Sequence, residues 1–344
     1  MSATFYVKSI IFKDERNDVV VDVPILLQDK NGPCPLIALV NTLLLSDAHA
    51  RKHEHLWRLI QNRATVKLAD LLETLADSLV SHPPDGHSID DGLLELLPKL
   101  YAGLDVNPRF DGTFEPGPSL NLFSAFDIDI IHGWIPEKDD PCDLLLSLKS
   151  YDAATEYVIN AADAAADSDH KSNAEIIQQF LARTNDQFTD AGLSFIQNLL
   201  QPGSLAVLFR NNHFSTIYKT YQSEQILMLV TDYGYKNHKY VVWESISDIK
   251  GENNLFFSGT LLPQEFQCEE GLEDGPIPAG LTDEDYARQL QLEEDSNLAS
   301  QTQQRYDRAS RLGTSTLAQT ARATTKPKPK PKDKASKKKD CVIM

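Results

Sequence analysis

The sequence predicts an α+β domain in which most helices precede an antiparallel sheet, with a polar tail after the sheet. Hydrophobic residues make up 41% of the 344 residues, enough to bury a sizeable core. Helical periodicity dominates much of the chain before residue 200, and four short apolar runs separated by polar turns follow between 204 and 246. Helices followed by a sheet are typical of the α+β class.

The elements can be predicted in chain order. The β-branched runs 4–12 and 18–27 predict two strands. Residues 35–45 are apolar on nearly every face except at Asn41 and Thr42, as expected of a buried helix. The remaining patterns predict helices over 64–80 and 90–100, an exposed helix or insertion over 152–173, and a meander of strands at 204–210, 213–219, 225–232 and 239–246.

Composition divides the chain into four parts. We expect a folded domain over 1–265, a linker rich in Gly, Pro and acidic residues over 266–280, a short helix over 281–300 and a tail over 301–344. The tail is rich in Gln, Ser, Thr, Lys and Pro and nearly lacks aromatic residues, which is the composition of a disordered segment.

The net charge of −17 is unevenly distributed along the chain. Residues 326–340 contain eight Lys and two Asp, a net +6, so the remainder carries −23. Such an acidic body repels phosphate backbones, and nucleic acid is therefore excluded as a partner of the folded part. Only the basic segment is suited to an anionic surface.

The chain is expected to be cytoplasmic and free of metal and cofactor. No apolar run approaches the ~20 residues that span a bilayer, and the first residues lack the basic and apolar regions of a secretory signal. Its four cysteines, at positions 34, 142, 268 and 341, are too far apart for a paired zinc motif or a disulfide framework. They are expected to act as individual thiols in a reducing compartment.

Cys34 stands where the buried helix is expected to begin. Gly32 and Pro33 interrupt the chain before it, and Pro35 suits the first helical turn. The positive end of the helix dipole is expected to lower the pKa of the thiol and favour the nucleophilic thiolate. The alternative is a cysteine that packs as a small hydrophobic residue.

Gln28 and His213 supply the other groups that thiol acyl transfer needs. A side-chain amide six residues before the cysteine can stabilise an oxyanion together with the Cys34 N–H. His213 enters a predicted strand after polar residues and is the candidate base, and a cysteine helix before a histidine strand is the order of papain-like sites. Asp232 and Asn212 are both candidates to orient the histidine.

Five blocks of sequence resemble the MINDY family of deubiquitinating cysteine peptidases. The blocks are QDKNGPCPLIALVNTLLL, LDVNPRFDG, IHGWI, LFRNNHFSTIYK and LVTDYGYKNHKYVVWESI, in that order. The resemblance implies a papain-like α+β fold and hydrolysis of isopeptide bonds in polyubiquitin, with a preference for lysine-48-linked chains. It implies that Cys34 is the nucleophile, His213 the general base and Gln28 the oxyanion donor.

The same resemblance implies a set of residues that contact ubiquitin. For Trp134 and Phe209 the alternative is burial in the core, and Tyr151 lies where residues 136–165 depart from the family pattern. The implied contacts are Asp105, Val106, Trp134, Tyr151 and Phe209.

The helix expected over 281–300 resembles an inverted ubiquitin-interacting motif. Tyr286, Ala287 and Leu290 share one helical face, and acidic residues flank them. Tethered through the linker, such a site would raise the effective concentration of long chains. The alternative is an acidic helix exposed to solvent.

The sequence ends in Cys341-Val342-Ile343-Met344, which fits the C-a-a-X pattern for farnesylation. One lipid chain binds membranes only marginally, and the neighbouring lysines would supply the second attachment signal. We expect a peripheral membrane fraction held by farnesylated Cys341 and the basic tail. The alternative is a chance C-terminal cysteine.

Three functions agree with these observations. The first is an active cysteine-type deubiquitinase with polyubiquitin and ubiquitinated proteins as partners, acting as a monomer. The second is a catalytically idle protein that binds ubiquitin chains. The third is another thiol acyltransferase on the same fold, which the match in five blocks disfavours.

Overall fold

The computed structural model describes residues 3–29, 34–46, 53–81, 91–161, 167–251 and 253–264. These residues belong to the compact unit Met1–Phe266. The predicted linker, the candidate ubiquitin-interacting helix with Tyr286, Ala287 and Leu290, and the tail with Cys341 lie outside the described residues, and those assignments stay predictions.

A three-stranded antiparallel sheet lies at the start of the fold. It consists of β1 (Thr4–Asp14), β2 (Val19–Leu27) and β3 (Thr65–Lys67) in the order β2-β1-β3. The first two strands confirm the prediction. The helix predicted from residue 64 is wrong at its start, because Thr65–Lys67 pairs with Thr4–Tyr6 of β1 and the helix begins only at Leu68.

The predicted buried helix is confirmed as α1 (Cys34–Ser46), in which every residue from Pro35 to Leu45 is buried. It packs against β2 on one side and against the histidine strand of the second sheet on the other. The helix therefore connects the two sheets through the core.

Nine further helices are found in the described residues. The helix predicted over 90–100 is wrong as a single element, because a turn over 95–98 that ends in Pro98 divides it. The segment 152–173 contains two packed helices rather than one exposed helix or an insertion. The helices are α2 (Glu54–Ile60), α3 (Leu68–Ser81), α4 (Asp91–Leu94), α5 (Lys99–Ala102), α6 (Pro118–Ser124), α7 (Cys142–Leu148), α8 (Tyr151–Ala161), α9 (Ser168–Arg183) and α10 (Asp190–Leu199).

A seven-stranded sheet carries the second half of the domain. The predicted meander is confirmed, although its third strand ends at Leu229, short of Asp232, and its fourth begins only at Trp243 rather than at residue 239. Three strands were not predicted, namely β4 (Ile130–His132), β9 (Phe256–Phe257) and β10 (Pro263–Gln264). Strand β4 joins the edge of the sheet in parallel to β5 (Leu205–Arg210). In chain order, the strands are β4 (Ile130–His132), β5 (Leu205–Arg210), β6 (His213–Lys219), β7 (Ile226–Leu229), β8 (Trp243–Ser245), β9 (Phe256–Phe257) and β10 (Pro263–Gln264). The order of the strands across the sheet is β10-β9-β8-β7-β6-β5-β4.

The described part is α+β, with two sheets that are antiparallel except for the β4–β5 pair, which confirms the predicted class. Across the described ranges, the helices are either too short or too polar to cross a bilayer.

Candidate active site

Cys34 is the first residue of α1, and its side chain is half-buried. Its sulfur receives hydrogen bonds from the backbone N–H groups of Phe214 and of Cys34 itself. Phe214 directly follows His213 in β6. The fold therefore brings the predicted nucleophile to the start of the strand that carries the predicted base.

His213 begins β6 immediately after a two-residue hairpin turn. Arg210 and His213 are paired across the β5–β6 ladder, and Asn211 and Asn212 between them have φ values of 51° and 57°. Two successive residues with positive φ are the mark of a type I′ turn, for which asparagine is well suited. The turn fixes where the histidine enters the strand.

The segment 186–188 holds this hairpin in place. The Asn212 N–H donates to Oε1 of Gln187 at 3.1 Å, and the Arg210 guanidinium pairs with Asp186 at 3.0 Å. The same guanidinium lies 4.6 Å from the centre of the Phe188 ring. A hydrogen bond, an ion pair and a cation–π contact thus anchor both sides of the turn.

Gln28 follows β2 and is connected to the second sheet through its backbone. Its N–H donates to Thr231 O at 2.7 Å, and its carbonyl accepts from the Tyr233 N–H at 2.9 Å. Gln28 and Asp232 therefore form an isolated parallel bridge. This bridge holds the predicted oxyanion donor beside the chain that follows β7.

Neither residue proposed to orient His213 forms a hydrogen bond with its imidazole. Asp232 is exposed, and its Oδ1 accepts from the Gly234 N–H at 2.6 Å. Asn212 holds the hairpin through its backbone N–H, which donates to Gln187. Among the described residues, the His213 imidazole makes no hydrogen bond to another side chain. The hairpin and the burial of the ring position the histidine instead.

Burial determines the protonation state of both catalytic candidates. It raises the pKa of the Cys34 thiol, and this effect exceeds the lowering by the two backbone hydrogen bonds. Burial also lowers the pKa of His213. The expectation that the helix start lowers the thiol pKa is therefore wrong for this conformation. Both the thiol and the imidazole are therefore neutral at pH 7, which suits general-base catalysis.

Cys34 opens into a cleft with a volume of about 510 Å³. The exposed carboxylate of Asp29 lies on one wall, and the segment Tyr101–Leu104 lines another. Asn212 and Phe214 contribute from the histidine hairpin. A cleft lined by both apolar and polar groups, with one acidic residue among them, suits a peptide ligand.

The predicted ubiquitin contacts Asp105 and Val106 come directly after Tyr101–Leu104 in the sequence, the segment that lines one wall of the cleft. Asp105 is exposed, and Val106 is half-buried against the core. Phe209 is 5% exposed and packs 5.1 Å from Phe214, ring centre to ring centre. Phe209 therefore supports the cleft from the core, which is the alternative considered for it.

Trp134 is 2% exposed and lies in a separate aromatic cluster with Phe110 and Phe180. Its indole N–H donates to Thr184 Oγ1 at 2.8 Å. Tyr151 is half-buried, with its ring 5.2 Å from that of Trp134. In this conformation Trp134 is a core residue, and a role for the pair in binding ubiquitin stays a prediction.

A family model described as MINDY deubiquitinase matches residues 3–261. The chain belongs to the MINDY deubiquitinase family. The uncharacterized protein YGL082W of Saccharomyces cerevisiae is 35% identical over 320 residues, which cover 82% of this chain and 83% of the relative. The ubiquitin carboxyl-terminal hydrolase MIY1 of the same yeast is 33% identical over 314 residues, covering 88% and 85%. Human MINDY-2 is 31% identical over 335 residues, covering 85% and 51%.

As a MINDY deubiquitinase, the chain is a hydrolase, in agreement with the prediction from its sequence. The match spans α1 and every strand of both sheets except β10, so it includes Gln28, Cys34 and His213. Within the described residues, no group of three or more His, Cys, Asp or Glu side chains is placed to hold a metal ion.

Several residues of this MINDY site were not predicted. The Phe214 N–H contacts the nucleophile through the backbone, for which no side-chain pattern gives a signal. Gln187 lies in an irregular segment with φ of 57°. By contrast, the sequence did single out Asn41 and Thr42, because they are the two polar residues within the otherwise apolar run of α1.

Proposed function

We propose that this MINDY domain hydrolyses isopeptide bonds in polyubiquitin through a thioester on Cys34, with a preference for lysine-48-linked chains. The observation that carries the proposal is the position of the Cys34 sulfur: it lies at the open cleft and against the Phe214 N–H, one residue from His213. The family membership supplies the substrate class.

The reaction begins with a proton transfer from the Cys34 thiol to the neutral His213 imidazole. The thiolate attacks the carbonyl carbon of ubiquitin's C-terminal glycine, and the carbonyl oxygen becomes an oxyanion. Imidazole and sulfur must first reach hydrogen-bonding distance, a contact that such sites often form only with substrate bound.

The side-chain amide of Gln28 and the Cys34 N–H stabilise the oxyanion. As the carbon–nitrogen bond breaks, protonated His213 returns its proton to the departing lysine amine, leaving ubiquitin as a thioester on Cys34. Water, deprotonated by His213, then attacks the thioester carbonyl and releases free ubiquitin and the thiol. Each cycle consumes one water and regenerates both groups.

A papain-like arrangement is the fold we propose around this chemistry. The nucleophile opens a buried helix, the base begins a later antiparallel strand, and the helix packs directly on that strand. That order and packing match what papain-like thiol chemistry requires.

We propose that Asp105 and Val106 bind ubiquitin beside the cleft. Ubiquitin's tail carries basic residues before its terminal glycines, and an exposed carboxylate next to Leu104 is placed to attract them. Asp105→Ala is expected to raise KM for lysine-48-linked tetraubiquitin with little change in kcat. Unchanged kinetics would remove Asp105 from the site.

The regions outside the described residues carry two further proposals. If the helix predicted over 281–300 binds ubiquitin, Ala287→Asp is expected to slow processing of long chains while hardly affecting diubiquitin.

Cys341→Ser is expected to move a membrane-bound fraction into the cytoplasm without changing cleavage in vitro. Intact-mass measurement of the protein from its own cells tests the lipid directly.

The central experiment uses ubiquitin with an electrophile in place of its C-terminal carboxylate. We expect a covalent adduct with the wild-type chain and none with Cys34→Ala. Binding without an adduct in the wild type would favour the idle ubiquitin-binding protein. Comparing lysine-48-linked with lysine-63-linked diubiquitin then tests the linkage preference.

A further inference from the structure

The outer edge of β2 is covered by a side chain rather than by another strand. β2 pairs with β1 on one side only, because the order of the sheet is β2-β1-β3. On the other side, the Leu26 N–H donates to Asn41 Oδ1 at 2.7 Å, and Asn41 Nδ2 donates to the Leu26 carbonyl at 3.0 Å. The amide of Asn41 thus replaces the backbone of a neighbouring strand.

The same edge continues to Gln28. Residues two apart in a strand point their backbone groups to the same side, so Leu26 and Gln28 share this edge. Leu26 is bound to α1, whereas Gln28 is bound to the backbone of Thr231 and Tyr233. The strand that delivers Gln28 is therefore fixed by two successive pairs of hydrogen bonds.

Asn41 also belongs to the helix that begins with Cys34. It is two turns along α1 and 0% exposed, and both of its amide groups are used by Leu26. We propose that Asn41 is a positioning residue, which sets the distance between the Cys34 nucleophile and the oxyanion-binding amide of Gln28. The inference rests on the proposed function of those two residues.

The energetic reason is the cost of an unmade bond in the core. Two backbone groups of Leu26 would lose their partners if Asn41 became apolar, and buried groups without partners are strongly unfavourable. Leu26 would then shift to find other partners. Gln28, two residues further, would move with it, and an oxyanion donor works only at hydrogen-bonding distance.

The test measures kcat and KM with ubiquitin bearing a fluorogenic amide at its C terminus. Asn41→Leu keeps the approximate volume of the side chain and removes both bonds. We expect kcat to fall at least tenfold with KM nearly unchanged, as for loss of an interaction made in the transition state. The matched control is Ser78→Ala, which removes a different buried hydrogen bond, the one between Ser78 in α3 and His53 just before α2, and should leave kcat unchanged.

The deciding comparison is made in a Gln28→Ala background. If Asn41 acts through Gln28, Asn41→Leu should cost less than about threefold there, because the group it positions is already gone. An equal loss in both backgrounds would overturn the inference and leave Asn41 a structural residue. Should Asn41→Leu not fold, Asn41→Ser, whose short side chain cannot span both Leu26 groups, takes its place in the cycle.

The single variant Gln28→Ala separates failure of the inference from failure of the proposed function. A loss of about 10²–10³ in kcat is expected for removal of one oxyanion donor. Full activity of Gln28→Ala would overturn the oxyanion assignment and the inference with it. A large loss in Gln28→Ala with additive behaviour of Asn41→Leu would overturn the inference alone.

Discussion

The backbone N–H of Phe214 donates a hydrogen bond to the sulfur of Cys34. This contact joins the first residue of α1 to the second residue of β6, although 180 positions separate them in the sequence. It places the nucleophile beside the strand that carries the base. Within the described residues, no hydrogen bond joins the sulfur to the imidazole, so the backbone holds the two elements of the site together.

The first prediction concerns the reactivity of the free thiol. Because burial raises the pKa of Cys34, little thiolate is present at pH 7.5, and iodoacetamide should modify it more slowly than free cysteine. The rate should climb as the pH rises past the ordinary thiol pKa. Mass spectrometry of the peptide that contains Cys34 measures it, with Cys34→Ala as the blank. Rapid modification that persists at pH 5 would instead show a preformed thiolate–imidazolium pair.

The second prediction concerns the polar pair that joins helix and strand. Thr42 Oγ1 donates to Thr216 Oγ1 at 3.0 Å, and Thr216 Oγ1 donates to the Ala38 carbonyl at 3.2 Å. Thr216→Val should lower the free energy of unfolding by about 1–2 kcal/mol, since it leaves buried groups without a partner. It should also lower kcat, because α1 is freed to shift against β6. Chemical denaturation and steady-state kinetics measure the two effects.

The double variant Thr42→Val with Thr216→Val is the control for this pair. Replacing both partners by apolar groups of the same shape is often nearly neutral, so the double variant should lose less stability than the two single losses added together. Strict additivity would show that the two hydroxyls are not coupled.

The third prediction separates the backbone of Asn212 from its side chain. Asn212→Gly keeps the positive φ that the turn requires and removes the amide, so activity should be largely retained. Asn212→Val forces a β-branched residue into the left-handed region, at a cost of about 1–2 kcal/mol, and should misplace His213. Loss of activity in Asn212→Gly with an unchanged melting temperature would identify the side chain as the orienting group of His213.

The fourth prediction concerns the buried His132. Its Nε2 lies 2.8 Å from the Thr113 carbonyl, to which it must donate, and its Nδ1 accepts from the Trp134 N–H at 3.1 Å. The bond from the Trp134 N–H requires a neutral ring, because a protonated Nδ1 cannot accept, and burial lowers the pKa of His132 from 6.5 to about 4. The unfolded chain therefore binds a proton between pH 6.5 and 4 that the folded chain does not.

The stability contributed by neutral His132 is present above pH 6.5 and is lost as the pH falls toward 4. The loss should reach about 3 kcal/mol. Denaturation between pH 7 and 4 measures it, and His132→Gln, which can donate and accept without titrating, should show a shallower pH dependence. Identical slopes for the two proteins would contradict the assignment.

Sequence patterns predicted the elements that carry the chemistry better than those that surround it. The apolar run after Cys34 and the alternating run after His213 are long and strongly periodic, and both elements are found as predicted. Thr65–Lys67 was taken for a helix because its extended form is imposed by pairing with β1, a contact remote in sequence. The short strand β4 exists for the same reason, because its partner β5 is likewise remote in sequence.

The details of the site depended on contacts that a sequence does not display. The helix start suggested a lowered thiol pKa, but the pKa also depends on how deeply the folded chain buries the sulfur, and burial dominates. Asp232 has the right chemistry to orient a histidine, yet it caps the turn over Tyr233–Tyr235. Trp134 was identified by its motif and proves to be packed in an aromatic cluster.

Cleavage of lysine-48-linked tetraubiquitin by the wild type, Cys34→Ala and His213→Ala tests the central claim most directly. Gel analysis over time, with binding of the same chains measured in parallel, provides both readouts. The account predicts cleavage by the wild type only, with chain binding retained in both variants. Cleavage by Cys34→Ala at the wild-type rate would contradict it.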